Sequence, residues 1–305
     1  MLKESFHIPV LTEEITELLM HRKDGVFLDV TSGFGGHSEK ILNCLEKGTL
    51  FATDQDPEAI HHLKSKFKND SRIKIQQARF SDLKNIFSEM EFDGILADIG
   101  VSSFQLDKPE RGFSFNLDGP LDMRMNQELG LSASSWINNA TQKEISDVIW
   151  KYGEEKRAKR ISKIIVQERQ KSEIVSTKQL ADIILEEIPR RFNDKKHPAT
   201  QTFQGIRIFI NNELKELELL LDFSVKHLKI GGRMCIVSFH SLEDRLVKRF
   251  FRDQSRRDPR LSKLPNLLDE SSLKIVSRMI KPSNREVRIN KRARSARLRV
   301  AERIK

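Results

Sequence analysis

Two short apolar runs joined through a glycine-rich turn constrain this chain more than any other feature. Phe27-Leu-Asp-Val-Thr-Ser-Gly-Phe-Gly-Gly-His37 is followed by Phe51-Ala-Thr-Asp-Gln-Asp-Pro57. A buried strand, a glycine turn, a helix and a second strand ending in acid form the first half of a nucleotide-binding βαβ unit. Glycine lets the backbone approach a ligand where a Cβ would clash. An acid roughly twenty residues on sits where a carboxylate accepts hydrogen bonds from ribose hydroxyls. A dinucleotide fingerprint G-x-G-x-x-G starting at Gly33 needs glycine at position 38, where this chain has Ser38. The missing glycine and the paired Gly35-Gly36 suit a ligand without pyrophosphate, and S-adenosylmethionine has ribose and adenine but no phosphate. A tight βα turn in any doubly wound sheet has the same local pattern, so the turn alone leaves the ligand open.

Buried-strand patterns occur at Val26–Val30, Thr49–Thr53, Ile73–Gln76, Gly94–Ile99 and Met234–Phe239, rich in β-branched and apolar residues. Helical patterns separate the early ones. Asp56-Pro57-Glu58 places a cap, a proline at the first helical position and an acid in the first turn. The expected fold is therefore α/β, a Rossmann-like sheet. The rhythm stops from Gln105 to about Gln204, where only helical spacing is visible, as in Ile145, Val148, Ile149 and Tyr152. A longer stripe runs through Phe203, Ile206, Ile210, Leu214, Leu217, Leu221, Val225 and Leu228, with Gly231-Gly232 expected to end it. The expected organisation is a discontinuous domain, 1–104 and 205–305, with a helical insertion at 105–204. Insertions at the carboxyl ends of parallel strands surround the ligand crevice, so this one is expected to recognise substrate.

Charge narrows the partner. The 305 residues carry a net +10, which favours an anionic partner, most often nucleic acid. Lys281–Lys305 holds ten Lys/Arg against two Glu. Such a tail is either a solvated face or a patch that contacts phosphates. Met1–Leu11 is polar and no apolar run reaches the length of a membrane span. Two cysteines cannot form a disulfide framework. A cytoplasmic, membrane-free location is expected.

Asp98 ends the fourth strand pattern and precedes Ile99-Gly-Val-Ser-Ser-Phe-Gln105. Many methyltransferases acting on amino groups place an Asp/Asn-Pro-Pro-aromatic motif here. An exocyclic amine is a poor nucleophile because its lone pair is delocalised into the base. A carboxylate acceptor can draw that nitrogen toward tetrahedral geometry, and positioning then supplies most of the acceleration. No Pro-Pro follows Asp98, and an aspartate that merely caps the next turn competes with this role. Cys44 and Cys235 lie on apolar patterns, against a thiolate nucleophile. His61-His62, His197 and His240 show no zinc spacing, so no metal is expected. Gly33-Phe-Gly-Gly lacks the Gly-Lys-Ser/Thr of a P-loop. His240, in Ser238-Phe-His-Ser-Leu-Glu-Asp244, could face the site or serve only structure.

Taken in order, His7-Ile-Pro-Val, Gly33-Phe-Gly-Gly-His-Ser38, Asp54-Gln-Asp-Pro57, Gly94-Ile-Leu-Ala-Asp-Ile-Gly-Val-Ser-Ser103 and Glu110-Arg-Gly-Phe-Ser-Phe115 resemble one family. So do Asp118-Gly-Pro-Leu-Asp-Met-Arg-Met125, Tyr152-Gly-Glu-Glu155, His197-Pro-Ala-Thr-Gln-Thr-Phe203 and Ser238-Phe-His-Ser-Leu-Glu-Asp-Arg245. These motifs are similar to those of the MraW family, which methylates small-subunit ribosomal RNA. Members transfer a methyl group from S-adenosylmethionine to the N4 amine of a cytidine in the bacterial decoding centre. The resemblance runs from about residue 6 to the C-terminus and is weakest at 253–272. It implies cofactor contacts at Gly35, Gly36, His37, Phe80, Asp98 and Gln105, with Asp54 as the ribose acid; Asp98 is the expected catalytic group from the amine chemistry above. Phe80 stands where other methyltransferases often have an acid, which leaves stacking and backbone contacts to recognise adenine.

The leading expectation is thus N4-methylation of a cytidine in 16S rRNA, either as free RNA or in the small ribosomal subunit. A DNA amino-methyltransferase is disfavoured by the missing Pro-Pro and the absent target-recognition domain. A non-catalytic RNA-binding assembly factor would have no need of Gly35-Gly36 and Asp54. Expected RNA contacts are Phe104, Phe113 and Phe115 as stacking candidates, His240, and the cations Arg111, Arg124, Arg207, Arg292, Arg294 and Arg297.

Overall fold

The computed structural model describes residues 9–190, 197–255 and 271–305. His7 and Ile8 of the first family motif, and most of the weakly matching 253–272 stretch, lie outside the described residues. The chain forms two compact units, Met1–Gly100 with Leu214–Lys305, and Val101–Glu213.

The first unit opens with α1 (Thr12–Leu19), β1 (Val26–Asp29), α2 (Gly36–Cys44), β2 (Thr49–Asp54), α3 (Pro57–Lys66), β3 (Ile73–Gln77), α4 (Leu83–Ile86) and β4 (Phe92–Asp98). The second unit contains α5 (Ser103–Asp107), α6 (Ala133–Asn139), α7 (Gln142–Gly153), α8 (Ala158–Arg169), α9 (Thr177–Glu187) and α10 (Thr200–Ile210). The chain then returns to the first unit through α11 (Glu213–His227), β5 (Leu228–Ser238), α12 (Ser241–Gln254), β6 (Leu273–Ile275), α13 (Asn284–Ile289) and β7 (Arg297–Arg303).

The seven strands among the described residues make one sheet in the order β3-β2-β1-β4-β5-β7-β6. Neighbours from β3 to β5 pair in parallel, and β7 runs antiparallel between β5 and β6. Side chains alternate across a strand, so successive residues enter different cores. Ile95, Met234 and Ile236 join Leu217, Leu221, Val247 and Phe251 on one face. Leu96, Cys235 and Val237 join Ile15, Leu19 and Ile41 on the other. Both faces are covered, which is why these strands read as near-continuous apolar runs.

Four features differ from the sequence expectations. The long apolar stripe is two helices, because Asn212 turns left-handed at φ 51°. Asn211 stabilises that break by donating to the carbonyls of Met123 (2.7 Å) and Arg207 (2.9 Å). Gly231-Gly232 does not end a helix. It forms a bulge inside β5, where the pairing jumps from Phe92–Leu228 to Gly94–Arg233 and Gly231 takes φ +81°. The basic tail contains a strand: Leu298 and Val300 of β7 are buried at a period of two. Finally, domain boundaries at 104/105 and 204/205 would cut α5 and α10, and the structure keeps both helices whole within the second unit. There α10 packs backbone to backbone on α7, since a Cβ on Gly153 would come within 2.4 Å of the Gln201 carbonyl.

Candidate active site

β1, β2 and β4 are adjacent in the sheet, and each ends in an aspartate: Asp29, Asp54 and Asp98. Ligands of doubly wound sheets bind at such carboxyl ends. Asp29 is fully buried and accepts from the Ser38 hydroxyl (2.7 Å) and the Thr31 N–H (3.2 Å). Burial holds its carboxyl above the usual range despite those bonds. Asp29 thereby ties the end of β1 to the first turn of α2 across the glycine loop. Sequence reasoning passed over Asp29 and Thr31, and read Ser38 only as a missing glycine. The available signal was an acid on the last residue of a strand just before the turn.

Within the loop, Gly33 and Gly35 take φ +49° and +80°. A Cβ on Gly35 would meet the Phe67 ring at 2.7 Å, so this position requires glycine on two grounds. The Gly33 N–H donates to Asp54 Oδ2 (2.8 Å), and the Asp56 N–H to Asp54 Oδ1 (2.9 Å). Burial raises the Asp54 carboxyl to about 6, although these two N–H groups pull it the other way. Asp56 itself caps α3 by accepting from Glu58 N (3.0 Å), as its sequence context predicted.

His37, in the first turn of α2, brings its Nε2 within 3.5 Å of Asp98 Oδ2. Burial disfavours the imidazolium, but Asp98 first, then Asp29 and Glu286, outweigh it and raise the histidine above its ordinary value. The Asp98 N–H donates to the Thr31 hydroxyl (2.6 Å), which aligns β4 with the loop after β1. Asp98 Oδ1 is buried and has no hydrogen-bond partner among the described residues. Phe80 opens a single 3-10 turn, Phe80–Asp82, and is half-buried against the core on one face of the sheet. The Gly35, Gly36, His37, Asp54 and Asp98 positions are thus brought together.

His240 caps α12 at the end of β5. Its Nδ1 accepts from Glu243 N (3.4 Å), and its Nε2 lies 3.1 Å from Glu243 Oε1. Arg297 and Arg299 of β7 both hold Asp244, at 2.8 and 2.7 Å. Arg292 and Arg294 are exposed on the turn before β7.

The remaining expected residues belong to the second unit. Gln105 is buried and closes a capping box with Ser102 at the start of α5. Arg111 is 3 % exposed and donates to the Arg124 and Met125 carbonyls. Phe113 lies in the helical core, and Phe115 packs on Phe203 and His197. Arg124 pairs with Asp122 (2.7 Å) and Arg207 with Glu213 (2.8 Å). Phe104 carries the Lys108 ammonium 4.0 Å from its ring centre. A buried Cys235 whose thiol is pushed to about 12 offers no thiolate.

Parallel strands continued by an antiparallel β7, a glycine turn, an acid after β2 and an open carboxylate after β4 define a Rossmann-like S-adenosylmethionine-dependent methyltransferase. The site fits that cofactor: a Cβ on Gly33 would meet nothing nearer than the Thr31 carbonyl at 3.9 Å, Asp54 can accept from ribose hydroxyls, and Asp98 keeps an acceptor that is unused among the described residues. The chain belongs to the MraW methylase family, whose model matches residues 4–304. Proteins named ribosomal RNA small subunit methyltransferase H are similar over nearly their full length. That of Nitrosococcus oceani is 46% identical, covering 98% of this chain and 97% of its own. Those of Coxiella burnetii and Pseudoalteromonas atlantica are each 47% identical, covering 98% of this chain and 99% and 98% of theirs.

Proposed function

We propose that this methyltransferase modifies the N4 amine of a cytidine in the decoding centre of 16S rRNA, in the cytoplasm. The observation that carries the proposal is Asp98 Oδ1, a buried acceptor left without a donor among the described residues. Leaving such a group bare costs free energy, so it is most economically read as held for a substrate donor. The amine of cytosine supplies one. When Asp98 accepts an N–H hydrogen bond from that amine, the nitrogen turns toward tetrahedral geometry and frees its lone pair. Bound S-adenosylmethionine supplies an electrophilic sulfonium methyl. The methylated nitrogen then sheds its extra proton, and Asp98 is placed to take it. His37 orients the carboxylate through its other oxygen. Asp54 would hold the cofactor ribose, with Gly35, Gly36 and His37 along the turn.

Substrate class is supported by the similar proteins' shared name and by the net charge of +10. The target base must leave its stack, which calls for a stacking partner. Phe104, outside the helical core and beside Lys108, is the proposed partner among the three phenylalanines. Arg292 and Arg294 would contact phosphate, with the helical unit recognising the RNA. No helix among the described residues is long and apolar enough to cross a membrane. Mass analysis of small-subunit rRNA from cells lacking the protein tests the proposal. One cytidine should lose one methyl group and regain it on complementation; an unchanged rRNA methylation pattern refutes it.

A further inference from the structure

We infer that Glu216, on α11, is a positioning residue for the ring of Phe80. The inference rests on reading Phe80 as the residue beside the cofactor adenine, and the sheet supports that reading. Gln77, at the end of β3, lies in register with Asp54, and the Ala78 N–H donates to the Asp54 carbonyl (3.0 Å). Phe80 therefore follows within three residues of the strand end that borders the ribose acid. A half-buried aromatic there lies where the base attached to that ribose must go.

Glu216 holds the two residues that flank this ring. Its Oε1 accepts from Arg79 Nη2 (2.7 Å) and its Oε2 from the Ser81 N–H (2.9 Å). The carboxylate is 7 % exposed, and burying a charge is costly unless it is well bonded. Asp82 adds a second clasp by accepting from the Arg79 N–H (2.9 Å). The Arg79 side chain before Phe80 and the Ser81 backbone after it are thus both tied to a helix 137 and 135 positions away in sequence. An aromatic platform fixed before its ligand arrives need not be ordered on binding, and the affinity is correspondingly higher. Glu216 touches no reacting group and works through the orientation of Phe80.

The test measures S-adenosylhomocysteine binding to the full chain by calorimetry. Glu216→Gln should weaken binding roughly three- to tenfold, the loss expected when one side chain must be ordered by the ligand. Arg79→Gln removes one of the same bonds from a more exposed position, so it should reproduce part of the loss even if the Glu216 variant folds poorly. In a Phe80→Leu background, Glu216→Gln should cost less than about twofold, because its effect passes through the ring. Equal losses in both backgrounds would make Glu216 a general brace and overturn the proposal. So would a weakened Phe80→Leu variant alongside unchanged Glu216→Gln and Arg79→Gln variants. Wild-type affinity in Phe80→Leu would instead overturn the adenine-side reading itself.

Discussion

Replacing Asp54 by Asn removes a charge while nearly preserving shape, and its consequences differ for binding and folding. Each oxygen of Asp54 accepts one backbone N–H, from Gly33 and Asp56. The remaining lone pairs are those available to ribose hydroxyls. An amide offers one acceptor atom and turns an NH2 toward the other donor. At least one charge-assisted bond is lost, worth ~1.5–3 kcal/mol, so the dissociation constant should rise about 10- to 150-fold. The pH dependence gives a sharper check. Burial raises this carboxyl to about 6, and ribose hydroxyls donate to its ionised form, so binding draws it downward. Affinity should be level near neutral pH and fall as pH drops through 6, reaching about a tenfold loss at pH 5. Because His37 also titrates, the diagnostic is the difference between wild type and variant, where only the Asp54 contribution disappears. The folding term has the opposite sign. A carboxyl raised in the folded state stabilises the protein below its unfolded value and loses that contribution as pH rises through 6. Asp54→Asn should therefore melt within a few degrees of wild type at pH 7.5 while binding poorly. Calorimetric titrations at pH 5, 6 and 7.5 decide the matter. An unchanged dissociation constant, or the same pH slope in both proteins, would refute the ribose assignment.

Asp98→Asn should keep most cofactor affinity and lose methyl transfer by at least a hundredfold, as expected of a group acting in the chemical step; parallel loss of affinity would make it a binding residue, and full activity would dismiss both roles. Gly35→Ala places a Cβ at φ +80° against the Phe67 ring, so a cost of roughly 1–2 kcal/mol and a lower melting temperature are expected. A melting curve and cofactor affinity matching wild type would show that the turn adapts. Arg292→Gln with Arg294→Gln should lower RNA affinity and flatten its salt dependence by about 0.7 for each phosphate no longer neutralised, leaving cofactor binding intact. Wild-type salt behaviour would return the tail to the status of a solvated face. Adding Arg297→Gln should also cost stability, because that guanidinium holds Asp244 at 2.8 Å.

Some of this protein was determined by the sequence alone. Gly33 and Gly35 imply a turn because they permit positive φ, and Asp56-Pro57-Glu58 starts α3 through its own cap and fixed proline φ. The strands that meet at the site were visible as apolar runs because both faces of the sheet are buried. These are local properties, encoded in dihedral preference and burial over a few residues. The weaker expectations failed where local pattern is ambiguous. An apolar stripe continues in phase through Asn211-Asn212, and a glycine pair marks a bulge as readily as a helix end. The partners of individual charges were decided only by the tertiary structure. Nothing near Arg297 shows that it holds Asp244, 53 positions back. The grip of Glu216 on the turn at Phe80 and the approach of His37 to Asp98 depend likewise on the strand order. Segments remote in sequence become neighbours only once the sheet is assembled, and that placement decides which polar groups are paired and which are not.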